Sequence, residues 1–403
     1  MNHLLLNKND KYLLACSFGP DSMALFYLLL QEGYNFEVAV VNYHLRPESN
    51  LEVEELKKYC EQSHINLYIL DVNRPITHNL ESECRKIRYN FFYELCKLHD
   101  FNATLVAHHQ DDLIETYLMQ KRRQNLPEFY GIKEKTTIFG VEIIRPLLSY
   151  TKEDLINICK DNNVPFMIDS SNLDVKYLRN KIRHEIIVNL DVEKRTKILT
   201  EIKAKNKEIN SIFETIKKSD IYDINVLKYF DEITYLYAIN YMAKSINPSA
   251  SISKRVAIEL LKVINSKKPN IRLKMPYKLY FVKEYNRVRF EKENIKVSYS
   301  YIIDKPMELD TPYFYLDFRF DTKNRNVKID DYPLTIRKAN KDDIYQINCY
   351  QVNVRRLFID WKMPLSIRKK WPVILNKEQK IIYIPRYQTN FKPDNKTNFY
   401  VKI

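Results

Sequence analysis

The strongest constraint on this chain is an alternation, through its first 150 residues, between short apolar runs and longer stretches of helical spacing. Residues 12–16 (YLLAC) stop at a turn, and residues 21–32 follow with apolar positions at Met23, Leu25, Phe26, Leu28 and Leu29. Residues 36–43 read as a buried strand, 51–64 as an amphipathic helix, 66–70 as a strand and 80–98 as a helix. A strand over 103–107 and a helix over 111–121 complete the series. Short runs separated by whole helices are βαβ units, which predicts an α/β fold with a doubly wound, mainly parallel sheet. Ligands of such sheets bind beyond the carboxyl ends of the strands, so the loops 17–22, 44–49 and 108–112 become the candidate functional loops.

Further along, residues 143–149 read as a strand ending in a Pro turn, and 151–162 as a helix with Thr151 at the N-cap and Asp154 at N3. A polar loop over 169–174 precedes a basic helix over 176–187, and helices continue from about 191 to 266. A strand pair, 272–283 and 287–291, turns around Glu284-Tyr285-Asn286. After residue 312 strand-like alternation takes over at 313–320, 334–338 and 380–385. The expected domains are 1–190 (α/β), 191–310 (mostly helical, ending in the strand pair) and 311–403 (small α+β).

Charge is unevenly spread. The chain carries a net +14, and residues 355–403 hold +9 of it, with twelve Lys and Arg against three Asp and Glu. Phe358, Trp361, Trp371, Tyr383, Tyr387 and Phe391 lie between the cations, a pattern that suits a polyanion such as nucleic acid. A solvated lysine-rich surface is the other reading. Six cysteines form no CxxC pair, no run of 18 apolar residues spans a membrane, and residues 1–14 do not read as a signal peptide. A cytoplasmic protein with no membrane partner is expected.

Glycine is scarce, at four residues. Both the GxGxxG and GxxxxGK[ST] phosphate loops are absent. The turn Ser17-Phe18-Gly19-Pro20-Asp21-Ser22 nevertheless follows a strand and opens a helix, which aims backbone N–H groups at one point. Ser17 and Ser22 add hydroxyl donors, Gly19 permits close approach of the backbone to a ligand, and Pro20 suits the first helical position. Asp21 beside a phosphate would need a metal between them. The same residues also read as a plain helix start.

This turn resembles the SGGxDS loop of the N-type ATP pyrophosphatases, the PP-loop family, with Phe18 at the first glycine. Other segments resemble the tRNA(Ile)-lysidine synthetases within it. His44-Leu45-Arg46 with Ser49 is similar to HxLRxxS, and Arg85-Lys86-Ile87-Arg88-Tyr89 with Phe92 to ARxxRYxFF. Residues 107–116 are similar to AHHxxDDxxET, Arg145-Pro146-Leu147-Leu148 to RPLL, and residues 169–183 to DxSNxDxxYxRNxIR.

The resemblance implies ATP and Mg²⁺ as cofactors, and L-lysine and a CAU-anticodon tRNA(Ile) as partners. Lysine would be joined to C2 of the wobble cytidine through an adenylated tRNA. It further implies that Ser17, Phe18, Gly19, Pro20, Asp21 and Ser22 bind ATP, with Asp21 on the metal. Asp21, Asp112, Glu115, Arg88 and Arg179 become the catalytic candidates, Asp112 and Glu115 sharing one helix face. His44, Arg46, Arg85, Asn180 and Arg183, with Arg355, Arg356, Arg368, Lys369 and Lys370 of the tail, become the tRNA or substrate contacts. His108 and His109 read as structural, or as supports behind the residues that touch the ligand, rather than as metal ligands, since no third ligand follows at metal spacing.

Two departures keep alternatives open. Phe18 cannot take the left-handed region without strain, and Gln124-Asn125-Leu126 stands where the family has Gly-x-Gly. Another PP-loop tRNA-modifying enzyme, or a tRNA-binding relative without catalysis, are the rivals. Thiolation of the two-thiocytidine type would need the paired cysteines that are missing here.

Overall fold

The computed structural model describes residues 5–72, 80–123, 126–168, 182–183, 185–293, 297–319, 327–347, 349–387 and 399–401. The chain divides into two compact units, Met1–Ser211 and Ile212–Ile403.

In the first unit the strands are β1 (Lys11–Ala15), β2 (Asn35–Asn42), β3 (Leu67–Asp71), β4 (Ala103–Val106), β5 (Lys135–Ile138) and β6 (Val141–Ile144). They form one sheet in the order β3-β2-β1-β4-β6-β5, parallel except for the β5–β6 hairpin. The helices are α1 (Pro20–Gln31), α2 (Ser49–Gln62), α3 (Leu80–His99), α4 (Gln110–Arg123) and α5 (Lys152–Asp161). The predicted doubly wound sheet is therefore present. Strand order reverses beside β1, and that places the β1–α1, β2–α2 and β4–α4 loops together at one end.

Burial explains the alternation. Leu13 and Leu14 of β1 point to opposite faces, and both are fully buried. One side packs on Met23, Phe26 and Leu29 of α1, the other on Tyr89, Phe92 and Leu95 of α3. Each such side chain contributes about 1.5–3 kcal/mol of burial. α5 starts at the expected capping box: Thr151 Oγ1 accepts from the Asp154 N–H at 3.1 Å, and Asp154 Oδ2 accepts from the Thr151 N–H at 2.8 Å.

The helix α6 (Val192–Lys218) runs through the division between the units, and α7 (Ile224–Tyr229), α8 (Glu232–Ile246) and α9 (Lys254–Asn265) follow in the second. Next come three strands where two were expected: β7 (Asn270–Met275), β8 (Leu279–Glu284) and β9 (Arg287–Lys292), paired antiparallel. The run 272–283 breaks because Tyr277 and Lys278 both take positive φ, 62° and 56°, and make a tight hairpin turn. The remaining strands are β10 (Ser300–Ile303), β11 (Glu308–Asp310), β12 (Phe314–Asp317), β13 (Leu334–Lys338), β14 (Ile344–Ile347), β15 (Tyr350–Asn353), β16 (Pro372–Leu375), β17 (Ile381–Tyr383) and β18 (Phe399–Val401). Two short helices, α10 (Val354–Asp360) and α11 (Leu365–Arg368), precede β16. Phe358, Trp371 and Val373 share one core, while Phe314, Ile336 and Ile374 share another.

Candidate active site

The phosphate-loop candidate lies at the reversal point. Phe18 stands in the left-handed region at φ 59°, the conformation that the family's glycine would adopt freely. Its ring is buried against the β1–α1 core, and its carbonyl accepts from the Met167 N–H at 3.0 Å. Strain at this backbone is thus held in place by packing. Gly19 has an ordinary φ of −77° and caps α1 with no side-chain bond to the helix N–H groups. Freedom of φ is therefore not what Gly19 supplies. A Cβ there would stand 3.6 Å from Ser17 Oγ, so glycine keeps the loop surface open beside that hydroxyl. Ser22 Oγ accepts from the Ser17 N–H at 3.2 Å and donates to the Gly19 carbonyl at 2.9 Å, bracing the loop from within.

Asp21 faces a cation that sequence reasoning missed. Lys152, the first residue of α5, donates to both Asp21 oxygens at 2.7 Å. A lysine in the first turn of a helix opposes the dipole, and that misplacement was the available signal. His109, buried, sets Nε2 at 3.8 Å from Asp21 Oδ2 and 3.5 Å from Asp112 Oδ2. As a magnesium ligand Asp21 fits by chemistry: it is a partly exposed carboxylate beside a phosphate loop, of the kind that shares the ion with phosphates and water. Among the described residues no group of three or more His, Cys, Asp or Glu forms a metal cage.

Asp112 and Glu115 do lie on one face of α4, and both are buried. Arg183 reaches across to them, Nη2 to Asp112 Oδ1 and Nε to Glu115 Oε2, both at 2.5 Å. The His109 N–H adds a bond to Asp112 Oδ2 at 3.0 Å. Burial alone would raise the Asp112 carboxyl, but His109, His108, Arg183 and this N–H outweigh it and hold the group below its ordinary value. Burial likewise pulls Arg183 down, and Asp112, Glu115 and Asp21 more than reverse it, so the guanidinium stays charged. Asp111, the neighbour on the chain, is instead paired with Arg195 of α6. Arg179 and Asn180, like most of the predicted basic helix and Gln124-Asn125, lie outside the described residues.

A cavity of about 650 Å³ joins these parts. Ser17, Gly19, Asp21, His108 and Asp112 line it together with Arg46, Arg85 and Arg88. Arg85 lies over the Tyr89 ring, 5.0 Å from its centroid, and Arg46 pairs with Glu52 at 3.2 Å. His44 is not among the lining residues. Its Nδ1 is 2.9 Å from Asn50 Oδ1 and its Nε2 3.1 Å from Asp71 Oδ1, so the ring braces the β2–α2 loop that carries Arg46.

In the second unit, Arg355 and Arg356 are exposed, the latter paired with Asp360 at 3.2 Å. Arg368 is turned inward, donating to the Met363 carbonyl at 2.6 Å and the Tyr285 hydroxyl at 3.1 Å. Lys369 and Lys370 line a second cavity, of about 1300 Å³, with Arg272, Arg287, Arg289 and Lys338. Buried Glu284 ties β8 to α11 by accepting from the Ser366 N–H at 2.6 Å and its hydroxyl at 2.9 Å.

Residues 1–190, the doubly wound sheet with the helix-opening turn 17–22 at its reversal point, match the PP-loop domain family. The tRNA(Ile)-lysidine synthase of Mycoplasma mycoides subsp. mycoides is 30% identical over 402 residues, which covers 94% of this chain and 97% of that protein. The tRNA(Ile)-lysidine synthase of Staphylococcus aureus strain N315 is 29% identical over 410 residues, covering 93% of each. The chain belongs to the tRNA(Ile)-lysidine synthases. Among the described residues no helix is long and apolar enough to cross a membrane.

Proposed function

We propose that this protein joins L-lysine to C2 of the wobble cytidine in the CAU anticodon of tRNA(Ile), converting ATP to AMP and pyrophosphate. One observation carries the reading: Asp112, on the wall of the cavity that the 17–22 turn also lines, shares a guanidinium with buried Glu115 on the same face of α4. The Asp112 carboxylate on that wall is a counter-charge for the ammonium of lysine.

In the first step the cytidine O2 attacks the α-phosphorus, and pyrophosphate leaves with the electron pair of the broken P–O bond. Ser17, the Gly19 backbone, Ser22 and the open N-terminus of α1 hold the phosphates. Mg²⁺ held by Asp21 would neutralise them further, and Lys152, freed from one Asp21 oxygen, is placed to join it. Arg88 and Arg179 supply positive charge at the α-phosphate or the tRNA backbone. In the second step the lysine nitrogen bonds to C2, the C2–O bond breaks, and AMP departs with the oxygen and the electron pair. The amine is ordinarily protonated near neutral pH and must lose a proton before it attacks; Asp112 serves in amine binding or as the base, with Glu115 in support. His44 acts through the loop bearing Arg46, while Arg46, Arg85, Asn180, Arg183 and the tail cations Arg355, Arg356, Lys369 and Lys370 meet the tRNA. Arg368 positions the last two.

The test uses ATP labelled at the α-phosphate, with lysine withheld. Label should pass to a CAU-anticodon transcript and return as AMP when lysine is added. AMP formed from ATP and lysine without tRNA-borne label would mean that lysine, not cytidine, is activated.

A further inference from the structure

His108 lies two residues beyond the end of β4, and Arg145 leaves the neighbouring strand β6. The parallel register, Thr104 with Ile143 and Leu105 with Ile144, brings the two side chains together. Arg145 Nε–H donates to His108 Nδ1 at 3.1 Å, and Nη1 donates to the Lys133 carbonyl at 2.7 Å. Arg145 is 5% exposed, and its own N–H is bonded to the Glu134 carbonyl at 2.9 Å, so the guanidinium is firmly placed.

A guanidinium has donors only and does not deprotonate in a protein, so Nδ1 of His108 must present its lone pair. A neutral imidazole carries one proton, which is then on Nε2. Protonating Nδ1 would set N–H against N–H and one cation against another. Burial lowers the Arg145 guanidinium from its ordinary value, yet that value is so far above neutrality that the charge persists. Among the described residues, the charged or titratable groups that act on this pair include Asp112, next to His109 at the α4 end, and Arg85 and Tyr89 from α3. Asp112 favours an imidazolium, but its charge is already shared with Arg183, whereas Arg145 is in direct contact.

We propose that Arg145 locks His108 as a neutral Nε2–H donor, and that this donor stabilises the negative charge developing on the α-phosphate oxygens as pyrophosphate departs. The proposal rests on the adenylation reading above. His108 lines the cavity with Ser17, Asp21 and Asp112, where that charge would develop. The step is a hydrogen bond and not a proton transfer: the O2–P bond forms, the P–O bond to pyrophosphate breaks, and His108 keeps its proton throughout. A neutral imidazole is the right form for this, as it donates without giving the proton away. With its proton on Nε2 and protonation of Nδ1 opposed, His108 does not serve as the base for lysine. Arg145 is a positioning residue.

Nitrogen NMR of full-length protein with isotope-labelled histidine tests the lock directly, with His108→Gln identifying the signal by its loss. The wild-type ring should show a bare Nδ1 and a protonated Nε2, and should not titrate between about pH 5.5 and 8. In Arg145→Met the same ring should titrate near the ordinary value of about 6.5. A wild-type ring protonated at Nδ1, or titrating in that range, overturns the lock. Kinetically, His108→Ala should lower kcat for tRNA-dependent pyrophosphate release about 10²–10³-fold, leaving the KM for ATP within about twofold. His108→Gln, which restores an N–H near the Nε2 position, should recover roughly tenfold of that loss. An unchanged kcat in His108→Ala overturns the donor role. A wild-type enzyme that releases no pyrophosphate in the presence of tRNA overturns the adenylation reading itself, while the NMR result still decides the lock.

Discussion

Phe18 offers a quantitative test of how this phosphate loop holds its shape. Its φ of 59° is left-handed, which costs an ordinary L-residue about 1–2 kcal/mol. Its ring is 3% exposed within the main core, where truncating a phenylalanine to alanine costs about 3–5 kcal/mol. Phe18→Ala loses the packing and keeps the backbone strain, so it should destabilise by roughly the full 3–5 kcal/mol. Phe18→Gly loses the packing but relieves the strain, for a net loss of about 1–4 kcal/mol. At roughly 2–4 °C per kcal/mol for a unit of this size, the glycine variant should melt about 2–16 °C below wild type and the alanine variant lower still. Differential scanning calorimetry on the three proteins supplies the order. A glycine variant as stable as wild type would show that the ring is not a core element. An alanine variant more stable than the glycine one would show that the left-handed backbone carries no strain.

Other expectations concern the site and the tail. Asp21→Ala should abolish AMP release while a filter-binding assay finds tRNA retention nearly unchanged; persistent AMP release would remove Asp21 from the metal role. Arg183→Met leaves Asp112 and Glu115 buried without their cation, a loss of about 3 kcal/mol that urea melts should register. Because the Asp112 carboxyl is held below its unfolded value, the stability it contributes is complete above about pH 4–5 and is lost as pH falls through the folded value. Wild-type melts should therefore steepen on acidification below that range, and Asp112→Asn should flatten this contribution. Replacing Lys369 and Lys370 by Gln should reduce the slope of log affinity against log salt by about 2, without the damage that deleting residues 355–403 would do to the Trp371 core. An unchanged slope would return these lysines to the solvated surface.

The parallel sheet was legible because each buried strand must be apolar on both faces, and the helices between them keep a 3.6-residue period. The hairpins were less so. β5 is a short edge strand of mixed polarity (KTTI), and the β7–β8 turn uses Tyr277-Lys278 where an Asn-Gly signal would have marked it. At the site, one-face spacing foretold that Asp112 and Glu115 would converge, but not that Arg183 would hold both. Lys152 on Asp21 spans 131 positions and Arg145 on His108 spans 37. Contacts at that separation are set by strand order, which spacing along the chain does not reveal. Phe18 shows the reverse case: the departure at the glycine was visible, and the packing that sustains it was not.

ATP-dependent attachment of lysine to a cytidine of tRNA is measured by incubating the full-length protein with a CAU-anticodon tRNA(Ile) transcript, Mg·ATP and labelled lysine. Label should enter the tRNA only with ATP, survive deacylation by mild base, and be recovered on nucleoside digestion as a modified cytidine from the wobble position. Label no greater than in an ATP-free control, or label that mild base removes as free lysine, would contradict it.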